Sequence, residues 1–346
     1  MGWISDLRRL AELSVVDSAR TPIRSPWSGS TLTRIVLSDV AGVTTRNPGR
    51  AEAMRVPAIV RGRALIAGLL ARHPLIAQDA AGVELAQQPA WLTTTATAQS
   101  PRLRALWTFD DLIFGGLSLW AVDRDDTGSI LDAVRVPAGL WTIDPAAAVQ
   151  VDGKHVSAEQ VILFEGPQEG LVTIGAGTIQ AALDMEAAWA KRVRQPVPML
   201  ELHSTDSTED LDDDEADELV DTWEKARRDG GGTAYTPSSI ETKVHGVTAA
   251  DLFVSGRNAL RLDLANLMAL PAALLEGSMS TASLTYSTTE GSRSDLVDLS
   301  LGYWAMPYEA RLSQDDVTPA GTNIAINLAH LNTPTQPATA SPAQED

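Results

Sequence analysis

The sequence predicts an α+β protein in which a mixed body carries a smaller insertion between two long helices. Three observations lead to this prediction. Apolar residues recur at helical spacing in several segments, most clearly over 178–195 and 248–270. Between residues 116 and 165 the chain instead has short apolar runs separated by turn residues, which is typical of strands. The 346 residues, of which 44% are hydrophobic, are enough for about two domains with a sizeable core.

The body begins with helices and continues with strands. Apolar residues at helical spacing predict helices over 2–16, 57–72 and 101–114. The second of these begins at a proline, which suits the first turn of a helix, and is ended by His73-Pro74. An Asp-Asp-Thr-Gly turn between two apolar runs predicts a hairpin. The strands expected in this region are 117–122, 130–136, 140–143, 147–151 and 161–164.

The insertion, residues 196–247, has a pattern of its own. The helix predicted over 178–195 is ended by Pro196, and the helix over 248–270 is ended by Pro271. Between them the sequence predicts a small β-α-β unit, with a helix whose acids come first and whose bases come last, as the helix dipole favours. Its predicted elements are a strand at 199–203, a helix at 208–229 and a strand at 240–244.

The C-terminal part contains a polar segment and a long helix. Residues 277–289 carry no formal charge, and eight of them are serine or threonine. From the residues alone, an ordinary flexible linker is one interpretation of this segment. A long helix over 290–313 follows, predicted to be interrupted at Pro307 and weakened at Gly302. A strand over 323–328 and a tail rich in proline and small polar residues complete the chain.

Composition and missing motifs exclude several classes of protein. Acids outnumber bases by 45 to 27, a net charge of −18, which argues against a simple basic nucleic-acid-binding protein. Without cysteine there can be no disulfide framework, thiol nucleophile or iron–sulfur cluster. The sequence contains no GxxxxGK[ST], GxGxxG, HExxH or GxSxG motif, and its five histidines lack metal-ligand spacing. We therefore expect no cofactor, no metal and no catalytic residue, and arginines within the most apolar stretch argue against a membrane span.

An acidic run opens the predicted helix of the insertion. Eight acids lie between residues 209 and 218. Three interpretations remain open: a solvated helix start, an acidic docking surface for a partner protein, and a calcium loop. The calcium interpretation is the weakest, because the central glycine of such a loop is missing and the segment has a helical pattern.

The order of the elements resembles the portal proteins of tailed bacteriophages, the head-to-tail connectors, over residues 50–331. Residues 262–275 are similar to that family's recurring helix that ends in a hydrophobic-Pro-x-x-Leu-Leu turn. The stretch 285–290 resembles the polar aromatic segment that opens the family's long helix. Segments 56–75 and 156–164 are similar to its N-terminal helix and to the strand before its stem.

The resemblance implies a portal-like division of the chain. The implied fold is α+β with a wing, a helical stem, a small β-α-β clip, a long kinked helix and a crown reduced to a tail. The implied parts are an N-terminal arm (1–50), an α+β wing (51–176), a stem helix (177–195), the clip (196–247), a second stem helix (248–271), a tunnel loop (272–289), a wing helix with a C-terminal strand (290–331) and a flexible tail (332–346).

The resemblance also implies a function. The chain is expected to form a homo-oligomeric ring of twelve at a capsid vertex of the virion, after assembly in the host cytoplasm, and to act without enzymatic activity. Double-stranded DNA would pass through the ring during packaging and ejection. The implied protein partners are the terminase large subunit, head–tail adaptor proteins and the major capsid protein, with no membrane partner.

Two sets of residues are implied to carry this function. The residues expected to face DNA in the tunnel loop are Ser278, Met279, Ser280, Thr281, Ser283 and Thr285. The residues expected to dock a partner through the clip are Asp210, Asp212, Asp213, Asp214 and Glu215. Two rival functions remain open, namely another virion or tail structural protein and a carboxylate-dependent hydrolase.

Overall fold

The chain divides into two compact units. Unit 1 comprises Met1–Asp184 and Arg257–Asp346, and unit 2 comprises Met185–Gly256. The computed structural model describes residues 48–144, 148–194, 199–204, 212–228, 240–245, 251–275 and 295–328. Within these ranges the helices and strands are, in chain order, α1 (Arg50–Ala53), α2 (Pro57–Arg72), β1 (Leu75–Gln78), α3 (Ala90–Thr93), α4 (Pro101–Gly115), β2 (Leu117–Arg124), β3 (Ile130–Val136), β4 (Trp141–Ile143), β5 (Val149–Val151), β6 (Lys154–His155), β7 (Val161–Glu165), α5 (Leu171–Ile174), α6 (Ala176–Arg194), β8 (Met199–Ser204), α7 (Asp213–Arg228), β9 (Ile240–His245), α8 (Asp251–Leu267), α9 (Gly302–Leu312) and β10 (Asn323–Ile326).

Helices α2 and α4 confirm the body helices that the sequence predicts over 57–72 and 101–114. Helix α2 starts at a proline, whose missing N–H costs nothing in the first turn, and it buries Ile59, Ile66 and Leu70 along one face. Helix α4 starts behind Ser100, whose hydroxyl accepts the N–H of Leu103 at 3.3 Å. It ends at Gly116, where φ is 78° and a Cβ would lie 2.8 Å from the Gly170 nitrogen, so only glycine fits.

Strand β2 is the centre of an antiparallel sheet of order β3-β2-β7. Its residues 117–122 are all buried, because the two faces of the strand pack into different clusters. Trp120 and Val122 enter the large core of unit 1. Leu119 and Ala121 point the other way, into a smaller cluster with Trp141 of β4. The alternation of side chains along a strand thus lets one strand serve two cores.

The large core is built around aromatic rings from distant parts of the sequence. Trp120 and Phe164 have ring centroids 4.8 Å apart, and Phe109 and Tyr308 have centroids 4.9 Å apart. The indole N–H of Trp304 donates to the carbonyl oxygen of Met268 at 2.9 Å. These contacts fix α9 against α4 and the sheet, since buried aromatic pairs contribute packing beyond their buried area.

A second pairing joins the two ends of unit 1. Strand β1 pairs with β10, antiparallel, from Leu75 opposite Ile326 to Gln78 opposite Asn323. The apolar pattern predicts the C-terminal strand but not β1. Four residues are too short for a periodic signal, and this strand is formed by a partner almost 250 residues further along the chain.

Unit 2 contains an antiparallel pair of strands and a helix that lies between them in sequence. Strands β8 and β9 are antiparallel, from Met199 opposite His245 to Ser204 opposite Ile240. Helix α7 lies between them in sequence. The strand–helix–strand order predicted for the insertion is therefore confirmed, and the described helix, Asp213–Arg228, lies within the predicted range 208–229.

The predicted interruption of the long helix at Pro307 is wrong. Helix α9 continues through Pro307, and the irregular part lies upstream, where Leu296–Leu301 forms a π-helix. Proline removes one hydrogen bond, but the buried Trp304 and Tyr308 on either side of it hold the helix in the core. The predicted helix at 2–16 and the tail from 332 lie outside the described residues. In the part of the chain that the structure describes, none of the helices has the length and apolar character to cross a membrane.

Candidate functional site

The residues expected to dock a partner lie at the start of α7. Asp212 precedes the helix, and Asp214 and Glu215 in its first turn are exposed. Asp213 is the first helical residue, and Asp210 lies outside the described residues. The structure therefore groups the four described acids, Asp212–Glu215, at the positive end of a helix dipole and leaves Asp212, Asp214 and Glu215 facing solvent. Such an arrangement can attract a positively charged partner without any rearrangement of the core.

The residues expected in the tunnel loop, 278–285, lie outside the described residues, but both flanks of that segment are described. On the N-terminal side, Leu270 and Leu275 are buried in the large core of unit 1. On the C-terminal side, Val297 and Leu301 of the π-helix are buried in the same core. The segment between them is thus tied to one core at both of its ends.

A buried charge cluster, which the sequence analysis did not identify, surrounds the C-terminal half of α4. Asp110 is 1% exposed and accepts hydrogen bonds from Arg50 of α1 (Nε–Oδ2, 2.6 Å) and Arg63 of α2 (Nε–Oδ1, 2.7 Å). The neighbouring Asp111 accepts two hydrogen bonds from Arg135 of β3, of which the Nε–Oδ2 bond is 2.7 Å, and one from the Ser118 hydroxyl at 2.8 Å. Two adjacent acids in the sequence therefore join four separate elements to α4.

The three arginines of this cluster also share an aromatic neighbour. The guanidinium carbons of Arg50, Arg63 and Arg135 lie 5.5, 5.6 and 5.7 Å from the ring centroid of the half-buried Trp107. The hydrogen bond to Asp110 raises the pKa of Arg50. Burial raises the pKa of Asp111, against the opposing effect of Arg135. The doublet of acids in the more apolar second half of α4 is a sequence signal for the two buried carboxylates, although not for the arginines that bind them.

Other titratable groups with altered pKa values lie inside the core. Arg104 is buried, donates to the carbonyl oxygen of Trp91 at 2.7 Å and lies 4.5 Å from the Trp120 ring centroid, and burial lowers its pKa. Burial raises the pKa of Tyr308 and of Glu309. Each of these groups packs structural elements together. Over the described residues, no group of three or more acids or histidines is placed to hold a metal ion.

Of three comparisons with known proteins, the one with solved structures finds relatives of this chain. Neither a protein-family model nor a curated protein sequence matches the chain. Among solved structures, a phage portal protein of the HK97 family from Corynebacterium diphtheriae is 30% identical, with a TM-score of 0.70, over 82% of this chain and 97% of that chain. The neck of an empty gene transfer agent particle computed with C6 symmetry matches at 15% identity and a TM-score of 0.56, over 93% of this chain and 89% of that one. The neck of a native particle computed with C12 symmetry matches at 14% identity and a TM-score of 0.56.

The fold, with its α+β body, strand–helix–strand insertion and long C-terminal helix, is that of phage portal proteins. The gene transfer agent structures, at lower identity, share the same fold. At 30% identity over almost the whole of the Corynebacterium structure, the relationship extends beyond fold, and this chain belongs to the HK97 family of phage portal proteins.

Proposed function

We propose that this chain forms the ring at a capsid vertex through which double-stranded DNA is packaged and ejected. The observation that supports this most directly is the 30% identity to a phage portal protein over 97% of that protein's length. The virion context of a matching gene transfer agent particle and the C12 symmetry of a neck reconstruction favour a ring of twelve in a particle neck. The role is structural rather than catalytic, in line with the family.

The parts of the chain take portal roles in this proposal. Residues 51–176 and 290–331 form the wing, and residues 177–195 and 248–271 form the stem helices. The clip, 196–247, docks the terminase large subunit during packaging and head–tail adaptors afterwards. In support of the clip assignment, its described helix α7 is amphipathic and carries its acids in an exposed first turn. The major capsid protein is the expected partner around the ring.

Residues 272–289 form the tunnel loop in this proposal. In support, the flanking residues Leu275 and Val297 are both buried in the large core of unit 1, so the two ends of the segment start from the same core. Its chemistry suits a passage for DNA. Hydroxyl groups exchange weak hydrogen bonds with phosphates, while the absence of lysine and arginine from residues 277–289 avoids the charge-assisted contacts that would hold DNA in place.

Electron microscopy of the purified chain tests the ring proposal. We expect closed rings with an axial hole and one dominant stoichiometry of twelve, since a heterologous contact closes only at a fixed rotation. A net charge of −18 on each copy makes the copies repel one another, so rings should form more readily at intermediate than at very low salt. A stable monomer or dimer by native mass spectrometry across salt and protein concentration would exclude this function.

A lysine variant tests the tunnel loop separately. Replacing Ser280 and Thr281 by lysine adds two positive charges per copy, so a ring of twelve gains 24. We expect rings to form normally but packaging to slow or stall, with recovery as salt increases. The matched control replaces the same residues by glutamine, which is of similar length and neutral. Packaging by the lysine variant at the rate of the glutamine variant would show that the loop does not contact DNA.

A further inference from the structure

The described part of unit 1 carries opposite charges at the two ends of the β2–β3 strand pair. At one end lie Arg50, Arg63 and Arg135, grouped around the half-buried ring of Trp107 and here called the arginine surface. Their partners Asp110 and Asp111 have side chains only 1% and 5% exposed, whereas those of the arginines are 33%, 19% and 12% exposed. The positive groups therefore face outward, over buried negative ones.

Several N–H groups of the arginine surface donate no hydrogen bond to another described residue. Arg63 bonds to Asp110 through Nε alone, so both of its terminal nitrogens lack an acceptor among the described residues. Arg50 and Arg135 each use Nε and one terminal nitrogen on their aspartates, which leaves the other terminal nitrogen without one in the same ranges. These fixed guanidinium groups form a preorganised binding site for carboxylates, because planar arginine donors held in place lose little entropy on binding.

The sequence around this surface strengthens its charge. The segment 48–72 contains five arginines and a single acid, Glu52; with Arg135, Asp110 and Asp111 included, the local net charge is 6 − 3 = +3 in a chain whose overall charge is −18. Glu52 is already engaged, since its carboxylate accepts the backbone N–H of Gly49 at 2.7 Å. This part of unit 1 is therefore locally attractive to negative groups.

The opposite end of the β2–β3 pair is acidic. Arg124, at the end of β2, donates to the carbonyl oxygens of Gly128 and Glu159 at 2.8 and 2.7 Å, which brings the hairpin turn and the segment before β7 together. Asp316 accepts two hydrogen bonds from Arg311, at 2.9 and 2.8 Å, and these bonds together with the charge of Arg124 lower its pKa. We call the group the acidic edge; its acids are Asp125, Asp126, Glu159, Asp315 and Asp316.

The two surfaces are arranged for a head-to-tail contact. With Arg124 and Arg311 included, the acidic edge has a net charge of 2 − 5 = −3. Along β3 it is separated from Arg135 by five residues, which is about 17 Å at strand spacing. Opposite charges at the two ends of one sheet cannot meet within a copy, but they can meet between copies that repeat in the same orientation, as a heterologous ring requires.

We propose that the arginine surface of one copy binds the acidic edge of the next copy, and that this contact sets the direction in which subunits assemble. The proposal rests on the proposed function, because it needs a ring of like-oriented copies. The contact would also offset part of the mutual repulsion of strongly negative subunits. Its occupant is a second copy of this chain, identified by charge complementarity.

The test reverses the charge of the acidic edge. Asp126, Glu159 and Asp315 are exposed, and none of their side chains makes a described hydrogen bond or ion pair, so D126K/E159K/D315K should fold like the parent. The control, E84K/E165K/D263K, makes the same charge change at other exposed positions. We expect the acidic-edge variant to raise the protein concentration for half-maximal ring assembly about ten-fold at low salt, and by less at high salt.

The control separates specific docking from general repulsion. Both variants make each copy less negative by six charges, so general repulsion alone predicts easier assembly for both. The proposed contact predicts weaker assembly for the acidic-edge variant only. If both variants assemble equally well while the parent forms rings, the docking contact is wrong and the ring stands. If the parent forms no rings, the proposed function fails instead.

A second variant tests the arginine surface. R63M retains an apolar chain along Trp107 and leaves Asp110 paired with Arg50, and its folding is checked by a melting curve. We expect the effect of the acidic-edge variant on assembly to shrink in the R63M background, as for directly coupled residues. Full additivity of the two effects would overturn the contact. Loss of binding to a short DNA duplex by R63M, with assembly unchanged, would overturn it in favour of a phosphate site.

Discussion

Acidic residues take opposite positions in the two units of this protein. In unit 1, Asp110 and Asp111 are buried beneath α1, α2 and β3 and are bound by three arginines. In unit 2, Asp214 and Glu215 are exposed in the first turn of α7. The residue types are the same, and both groups lie in helices. Their surroundings differ, and these surroundings decide whether each group contributes to folding or to association with a partner.

The difference separates the acids that hold the fold from those available to a partner. A buried carboxylate is costly to desolvate, and Asp110 is stable in place because two guanidinium groups compensate it. An exposed carboxylate at a helix start contributes less than about 1 kcal/mol to stability and is free to attract a partner over a distance. Removal of charge should therefore affect folding in unit 1 and association in unit 2.

The largest expected effect is at Asp110. Replacing it by asparagine keeps its shape but leaves Arg50 and Arg63 without a full counter-charge next to the core. We expect the free energy of unfolding to fall by about 2–4 kcal/mol, a little below the usual cost of breaking a buried ion pair because both arginines reach water. Urea denaturation followed by tryptophan fluorescence measures this as a lower midpoint at unchanged slope.

The matched control is the same substitution in unit 2. Asp214 is exposed, so D214N should change the free energy of unfolding by less than about 1 kcal/mol, through the helix dipole alone. If D110N and D214N had equal effects, the buried cluster would not contribute to the stability of unit 1, and the contrast between the units would be lost.

The sequence predicted the elements better than it predicted their contacts. Helices α2 and α4 and the β2–β3 hairpin were predicted nearly to their ends, because proline, serine and glycine mark their boundaries locally. Strand β1 was missed because it is defined by pairing with β10. The helix at Pro307 was predicted to break, but the packing of its neighbours overrides the local preference.

The charge clusters show the same limit. The acids of α7 could be recognised as a group because they are consecutive in sequence. The arginine surface could not, since Arg50, Arg63 and Arg135 are brought together around Trp107 only by the fold. Residues that act as a group through tertiary structure leave no spacing in the sequence to detect.

The next largest effect concerns the docking proposed for unit 2. Replacing Asp212, Asp213, Asp214 and Glu215 by serine removes four charges from the start of α7. We expect rings to form normally, while the association rate with the proposed partner, the terminase large subunit, falls about ten-fold at low salt and approaches that of the parent at high salt, as for charges at the rim of an interface. Surface plasmon resonance across salt concentrations measures both quantities.

A variant with the same charge change elsewhere is the control for docking. Glu84, Glu165, Asp263 and Asp295 are exposed residues of unit 1, and serine at these four positions should leave the association rate close to that of the parent. Equal slowing by both variants would mean that total charge, rather than the start of α7, attracts the partner. An unchanged association rate in the α7 variant would show that these acids form only a solvated helix start and do not dock a partner.

The smallest expected effect comes from a half-buried acid, Glu309, that pairs with no cation among the described residues. Glu309 of α9 accepts the backbone N–H of Ile326 at 2.6 Å, and burial raises its pKa above the ordinary value of 4.5. An acid whose pKa is higher in the folded state favours folding below the unfolded pKa, and this contribution is lost as the pH rises through the folded pKa. E309Q keeps an acceptor for the Ile326 N–H and cannot ionise. It should therefore be more stable than the parent at pH 7, by less than the effect at Asp110, and this advantage should disappear toward pH 4.

The same substitution at the exposed Glu215 is the control and should give no such trend in urea midpoints measured from pH 4 to pH 7. A constant difference between E309Q and the parent at every pH would show that burial does not control the ionisation of Glu309.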